Sequence, residues 1–216
     1  MTCRARFNNS NYARFSMSEL FLSGGGSGKQ TEVFDRLFIS KLPTKNRVLF
    51  LPTARRRMMD QMGGSWDWFR GDFTKLGITS FDMWVDLENR TAEQLAHYDG
   101  IYIGGGNTFD LVHYFHQTGF DHLLLAYAKT GKPIFGGSAG AIIWGKSIHT
   151  CELGSYSDEN LIHLKNWNGY NKVRNYLIQC HYTPKDDVEM LALAKKLKAK
   201  IIALPDETAL YVTDRV

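Results

Sequence analysis

The sequence has few cysteines and no long apolar run. Three cysteines among 216 residues, an odd number without metal-type spacing, indicate neither a disulfide framework nor a zinc site. No apolar stretch approaches the roughly 20 residues that span a bilayer, and the N-terminus lacks the apolar region of a secretory signal. These absences argue against a membrane protein and a disulfide-rich secreted domain, and they predict a soluble cytoplasmic protein.

Acidic side chains are absent from the first sixteen residues, which contain Arg4, Arg6 and Arg14. Without these three arginines the formal net charge falls from +4 to +1. The basic balance therefore does not indicate nucleic-acid binding, and the run 55–57 of three arginines is interpreted as a solvated loop or helix start. Residues 1–16 are interpreted as an N-terminal extension, disordered or derived from cloning, and residues 17–216 as a single domain.

Short apolar runs alternate with longer amphipathic stretches, which is typical of βα units that form a parallel sheet. An α/β fold is therefore predicted. Because the chain ends at Val216 directly after an apolar run, a further C-terminal segment is one expectation. The predicted strands are Leu20–Ser23, Arg47–Pro52, Ile78–Phe81, Gly100–Ile103, Pro133–Phe135, Tyr176–Cys180, Ile201–Leu204 and Leu210–Thr213. Helices are predicted at 29–40, 55–75, 91–96, 108–118, 121–129, 139–146 and 185–198.

Two glycine-rich turns follow predicted strands. The first, 23–29, does not match a phosphate-binding loop, because Ser23 stands where the first glycine belongs and Gln30 where a hydroxyl belongs. It is interpreted as a flexible turn. The second, 104–108, lies at the carboxyl end of a strand, where open α/β sheets place their sites. Its backbone N–H groups could approach a substrate oxygen as an oxyanion hole, and an ordinary tight turn is the alternative.

The segment Gly136-Gly137-Ser138-Ala139-Gly140 has the G-x-S-x-G form of a nucleophile elbow. An apolar strand precedes it and a helix start with small residues follows, which is the context that such an elbow requires. Ser138 is therefore the predicted nucleophile, and the N–H group of Ala139 can face a developing oxyanion.

A serine nucleophile needs a general base, and the sequence contains seven histidines. His181 is favoured, because it follows the apolar run Tyr176–Cys180 at the carboxyl end of a strand and can reach the edge where Ser138 lies. Cys180 precedes His181 directly, but it is not favoured as a thiol nucleophile. Adjacent strand residues point to opposite faces of the sheet, so the thiol and this imidazole would not act together.

The acid that orients the histidine is left open among several carboxylates. Glu152, Asp158 and Glu159 lie between Ser138 and His181, as in hydrolases with the chain order serine, acid, histidine. Two further carboxylates, Asp206 and Glu207, are outside candidates that could instead bind a substrate amine.

Four motifs together resemble the peptidase E (aspartyl dipeptidase) family, to whose wider group cyanophycinase belongs. They occur in the family's order and at similar spacing, from about Met17 onward. The resemblance implies a three-layer parallel-sheet sandwich like that of class I glutamine amidotransferases, with serine replacing the amidotransferase cysteine. The motifs are 104–109, 137–141, 181–183 and 204–207.

The resemblance also implies roles for individual residues. Ser138 matches the family's nucleophile, His181 its triad histidine, and Glu152 can replace its acid. The region that supplies the oxyanion donors corresponds to Gly105, Gly106 and Ala139, and Asn107 matches a regular asparagine of the motif. No metal or organic cofactor is implied. The implied substrate is a small peptide, with no nucleic-acid or membrane partner, and the implied assembly is a monomer or a homodimer.

One departure from the family pattern concerns specificity. His149 occupies the position of an arginine that follows the elbow helix in aspartyl dipeptidases, so a preference for an N-terminal aspartate is left open. Four cations of the sequence are candidates to replace this arginine: Lys146, Lys165, Lys172 and Arg174. The main prediction is a dipeptidase-like serine peptidase. The alternatives are an amidase or esterase with the same triad, and a non-catalytic binding protein of the same fold.

Overall fold

A computed structural model describes residues 18–43 and 46–213, in which strands and helices alternate as predicted. The predicted extension 1–16 lies outside these residues. The strands are β1 (Glu19–Ser23), β2 (Arg47–Leu51), β3 (Ser80–Met83), β4 (Gly100–Ile103), β5 (Pro133–Gly137), β6 (Leu177–Gln179), β7 (Ile201–Ala203) and β8 (Ala209–Thr213). The helices are α1 (Glu32–Ser40), α2 (Met59–Lys75), α3 (Ala92–Ala96), α4 (Thr108–Thr118), α5 (Phe120–Ala128), α6 (Ala139–Ile142) and α7 (Asp187–Leu197).

The central sheet has the strand order β3-β2-β4-β5-β1-β8. Its first five strands are parallel to their neighbours, and β8 runs antiparallel to β1 at the edge. A second, parallel pair joins β6 to β7. The predicted α/β fold with a mostly parallel sheet is confirmed.

Both faces of the central sheet are covered. Neighbouring residues of each strand point to opposite sides, so the strands contribute apolar side chains to a core on each face. On one side Leu20, Ile101 and Ile134 pack among the residues around α4, α5 and α6. On the other side an aromatic cluster around α1 and α2 fills the core, and Tyr102 stacks on Phe135 with 4.6 Å between the ring centroids. These three layers place the carboxyl ends of the parallel strands along one edge.

Several predicted boundaries differ from the structure by a few residues, and two of the differences have a clear cause in the hydrogen bonds. Ile78 was expected to open a strand, but its N–H group donates to the carbonyl of Phe73, so it closes the end of α2 and β3 begins at Ser80. The helix predicted at 139–146 ends at Ile142. Beyond it the carbonyls of Ile143 and Trp144 accept hydrogen bonds from residues 170 and 172 instead of continuing a helical ladder.

Within the described ranges, no helix has both the length and the apolar character needed to cross a membrane.

Candidate active site

Ser138 lies at the sharp turn between β5 and α6, as the elbow motif predicts. Its backbone has φ 51° and ψ −114°, a conformation that residues other than glycine rarely adopt. The Ser138 N–H group donates to the carbonyl of Ser23 at 3.1 Å, so the end of β1 holds the turn in place. The turn leaves the side chain at the carboxyl edge of the sheet.

His181 follows β6 and faces Ser138. Its Nε2 lies 2.8 Å from the Ser138 Oγ, a hydrogen-bond distance. The His181 residue also has positive φ, 53°, and its N–H group donates to the carbonyl of Gly24 at 2.9 Å. The exposed ring of Tyr156 packs against the imidazole, with 4.6 Å between the ring centroids. The two side chains that the sequence analysis paired are therefore in direct contact.

The carboxylate that contacts the other nitrogen of the imidazole belongs to Asp206. Its Oδ1 lies 2.6 Å from the Nδ1 of His181. Glu152, the acid expected there, is exposed at the end of a 3₁₀ turn and does not line the cavity beside Ser138. The structure therefore places Asp206, and not the predicted Glu152, against His181. The physical reason is the parallel pairing of β6 with β7, which brings the turns after both strands together.

The other two acids considered for this position lie on the cavity wall. Asp158 accepts a hydrogen bond from the N–H group of Thr108 at 2.9 Å, and burial raises the pKa of its carboxyl. Glu159 is exposed, and its backbone carbonyl accepts a hydrogen bond from the Asn107 side chain at 2.9 Å. Both residues are thus bonded to the end of the second glycine turn, and Asp206 is the carboxylate bonded to His181.

The second glycine turn adjoins the serine. A Cβ atom on Gly105 would lie 3.1 Å from the Cβ of Ser138, so there is little room for a side chain between this turn and the nucleophile. Gly106 has φ 144°, and a methyl group on it would overlap the carbonyl of Ala54. Asn107 caps α4, because its side chain accepts from the N–H group of Asp110 at 3.0 Å. A side chain at Gly106 would therefore displace the Ala54 backbone, and one at Gly105 would press on Ser138.

Ala139 is the first residue of α6 and is fully buried. The first N–H groups of a helix have no partner within it, and they carry partial positive charge. Gly105 lies close to the serine and Ala139 follows it directly, while Gly106 lines the same cavity; their role as oxyanion donors stays a prediction.

A cavity of about 1070 Å³ opens over Ser138 and His181. Residues of both glycine turns line it, and Trp68, Tyr102 and Leu161 contribute apolar lining. Cys180 also lines it, but burial raises the pKa of that thiol and disfavours the nucleophilic thiolate. The described residues contain no cluster of three or more His, Cys, Asp or Glu side chains placed to hold a metal ion. The volume suits a ligand of a few residues.

His149, which stands at the family's arginine position, points away from this cavity. Its ring packs on Trp167 with 4.7 Å between the centroids, and its Nδ1 lies 3.0 Å from the Ser147 Oγ. Burial and the charge of Lys196 lower the pKa of His149, so the imidazole is mostly neutral at pH 7. It does not replace the arginine as a cation at the site.

A serine, a histidine and a carboxylate joined by hydrogen bonds at the carboxyl edge of a parallel sheet are typical of the α/β serine hydrolases. The sequence model of peptidase family S51 matches residues 20–216. The chain therefore belongs to this peptidase family.

Individual relatives agree with this family. Over 178 residues the chain is 26% identical to the uncharacterised peptidase Lmo0363 of Listeria monocytogenes, an alignment that covers 81% of this chain and 80% of the relative. A stretch of 52 residues is 48% identical to peptidase E of Shewanella sp. strain ANA-3, which covers 24% of this chain and 22% of that protein. The resemblance to peptidase E is confirmed.

Solved structures share the fold. A crystal structure of a protein from Listeria monocytogenes EGD-e, provisionally described as peptidase E, superposes with a TM-score of 0.69 at 23% identity and covers 93% of this chain and 96% of its own. A peptidase from an acI-B1 actinobacterium gives a TM-score of 0.73 at 19% identity, covering 94% and 87%. These likenesses confirm the predicted class I glutamine amidotransferase-like fold.

Three parts of the site were missed or undervalued in the sequence. Asp206 follows a predicted strand, so the rule that sites lie at carboxyl ends of strands already pointed to it. Arg55 also follows a strand, β2, and lines the cavity. The first glycine turn was interpreted only as a flexible connection, although it contacts both Ser138 and His181.

Proposed function

We propose that this chain is a serine peptidase that hydrolyses small peptides through a Ser138-His181-Asp206 triad. The observation that carries the proposal is the continuous pair of hydrogen bonds, 2.8 Å from the Ser138 Oγ to the His181 Nε2 and 2.6 Å from the Nδ1 to Asp206. Membership of a peptidase family supports the reaction class.

In the first half of the proposed reaction, the Nε2 of His181 accepts the proton of Ser138 while the Oγ attacks the scissile carbonyl carbon. The carboxylate of Asp206 keeps the other imidazole proton on Nδ1 and stabilises the imidazolium that forms. N–H groups of the Gly105–Gly106 turn and of Ala139 stabilise the negative oxygen of the tetrahedral intermediate. His181 then donates its proton to the leaving amine, and an acyl-serine remains.

In the second half, water enters the position of the leaving amine. His181 accepts a proton from this water, the resulting hydroxide attacks the acyl carbon, and the proton returns to the Ser138 Oγ as the acid product leaves. The reaction balances without any group beyond the chain and one water. Peptides are favoured over larger proteins as substrates because the reactive side chains lie inside a cavity of about 1070 Å³.

The test compares the natural chain with Ser138→Ala and a matched control, Ser155→Ala, at an exposed serine. We expect Ser138→Ala to lower kcat on a dipeptide panel by at least roughly 10⁴-fold, with an unchanged circular dichroism spectrum. A fluorophosphonate probe should label the natural chain and the control but not Ser138→Ala. Undiminished peptide hydrolysis by Ser138→Ala would sink the proposal.

Two outcomes of the same panel would favour other functions. Faster turnover of simple esters or amides than of any peptide would indicate an amidase or esterase with the same triad. A well-folded natural chain that neither turns over any substrate nor reacts with the probe would indicate a binding protein.

A further inference from the structure

Arg55 is the one arginine or lysine among the described residues that line the cavity. It follows β2, is half-buried, and reaches the backbone of the second glycine turn. Its Nε donates to the carbonyl of Gly105 at 3.2 Å. Since Gly105 lies close to Ser138 and both line the cavity, this bond holds the Arg55 side chain on the cavity wall near the nucleophile.

The neighbouring arginines differ from Arg55 in that the guanidinium of each already contacts an aromatic ring or a carboxylate of the protein. The guanidinium of Arg56 lies over the ring of Tyr114 at 3.5 Å, and the Nε of Arg57 is 3.1 Å from the Oδ1 of Asp110. Among the described side chains Arg55 makes no ion pair. Its bond to Gly105 uses Nε only, whereas a guanidinium has five N–H donors, so the terminal nitrogens remain for a ligand.

The ligand that suits these donors is a carboxylate, because the planar guanidinium matches its two oxygens. A charged guanidinium that is half-buried loses part of its hydration, and an anion in the cavity would restore favourable interactions. The acidic wall residues Asp158 and Glu159 do not pair with Arg55 and leave it available. At the family's arginine position, His149 faces Trp167 instead.

We propose that Arg55 binds a carboxylate group of the peptide substrate and thereby selects peptides with a negative charge near the scissile bond. This inference rests on the proposed peptidase function. A small peptide offers such a group in two places, the side chain of an acidic N-terminal residue and the C-terminal carboxylate. Arg55 is a substrate-binding residue in this assignment, and it takes no part in proton transfer.

The kinetic test uses Arg55→Gln, Arg55→Lys and the matched control Arg57→Gln. Asp-Leu is compared with Asn-Leu for the side-chain carboxylate, and Leu-Leu with Leu-Leu amide for the C-terminal one. We expect Arg55→Gln to lower kcat/KM by roughly 10- to 100-fold for the peptides that carry the recognised carboxylate, and by less than about 3-fold for their neutral counterparts. Arg55→Lys should retain part of the preference, because it keeps the charge.

The same comparison can refute the inference. Equal losses on charged and neutral peptides would mean that Arg55 acts only by holding Gly105, and an unchanged preference in Arg55→Gln would mean that the carboxylate binds elsewhere. Arg57→Gln should behave like the natural chain, because its guanidinium pairs with Asp110.

A binding experiment separates this inference from the proposed function. In a Ser138→Ala background, calorimetry measures the affinity for the same four peptides without turnover. The inference predicts that adding Arg55→Gln weakens binding of the charged peptide by roughly 10-fold or more and leaves its neutral counterpart nearly unchanged. This result would stand even if hydrolysis proved not to depend on Ser138. Equal affinities for charged and neutral peptides in the Ser138→Ala variant that keeps Arg55 would overturn the inference.

Discussion

The assignment of Asp206 as the orienting acid leads to a direct prediction for Asp206→Asn. The asparagine has the same size and can keep a hydrogen bond to the Nδ1 of His181. Its amide donates that bond, however, so the imidazole proton moves to Nε2, the nitrogen that must accept a proton from Ser138. The variant should therefore fold normally and lose turnover.

The size of this loss follows from the exposure of the carboxylate. The same substitution in a buried Ser-His-Asp triad lowers kcat by about 10⁴-fold. The side chain of Asp206 is 42% exposed, so water replaces part of its electrostatic effect on the imidazolium. We expect a decrease of about 10²- to 10³-fold, which corresponds to about 3–4 kcal/mol of transition-state stabilisation.

The assay is steady-state hydrolysis of the best dipeptide by Asp206→Asn, with Glu152→Gln as the matched acid-to-amide control. Glu152→Gln should keep kcat within about 2-fold, because that side chain is exposed and outside the cavity. A large loss in Glu152→Gln together with near-normal turnover in Asp206→Asn would refute the reasoning and restore the chain order serine, acid, histidine.

Two further predictions concern packing and charge. A methyl group on Gly25, where φ is 149°, would lie 2.5 Å from the Oδ1 of Asp206, so Gly25→Ala should lower kcat at least about 10²-fold. The control Gly77→Ala, also at positive φ but in open space, should affect only stability. Equal losses of kcat in the two variants would contradict this prediction. Burial raises the pKa of Asp35 from 3.8 to about 7, so the folded chain holds a proton that the unfolded chain has released between these pH values, and stability falls as pH rises through this window. In urea unfolding, the free energy of unfolding of Asp35→Asn should rise relative to that of the natural chain by about 2–3 kcal/mol between pH 5 and pH 8. Parallel pH profiles of the two proteins would contradict this prediction.

Local patterns were sufficient to predict most of the fold. Alternating apolar and amphipathic segments located all eight strands, because each strand of a sheet covered on both faces is an apolar run between turn residues. The elbow was recognisable for a similar reason. Gly136 and Gly140 pack so tightly that a methyl group on either would overlap neighbouring backbone, and this requirement is visible as small residues in the sequence.

The carboxylate that contacts His181 was not predictable in this way, because its position depends on which strands pair. Asp206 meets His181 only because β6 and β7 are parallel neighbours, and the Tyr182 N–H group donates to the carbonyl of Leu204 across the two turns. Nothing in the local sequence at either strand specifies this pairing. The chain-order argument, which kept Glu152, Asp158 and Glu159 as candidates, came from hydrolases in which the acid precedes the histidine.

The first glycine turn has a larger part in the site than a flexible connection would have. Ser138 and His181 both have positive φ, a conformation that costs roughly 1–3 kcal/mol for such residues and persists where the surroundings enforce it. The carbonyls of two consecutive residues, Ser23 and Gly24, accept the backbone N–H groups of these two residues. The separation of serine and histidine is therefore coupled to the geometry of one dipeptide at the end of β1.

The same turn also reaches the acid. A methyl group on Gly24 would overlap the carbonyls of Leu204 and Pro205, the two residues before Asp206, and one on Gly25 would overlap the imidazole of His181. Glycine is needed at both positions because backbone must approach backbone and side chain more closely than a Cβ allows. The first glycine turn, which does not match a phosphate-binding loop, thus contacts the segments that follow β5, β6 and β7. These contacts fix the distances on which the proposed triad depends.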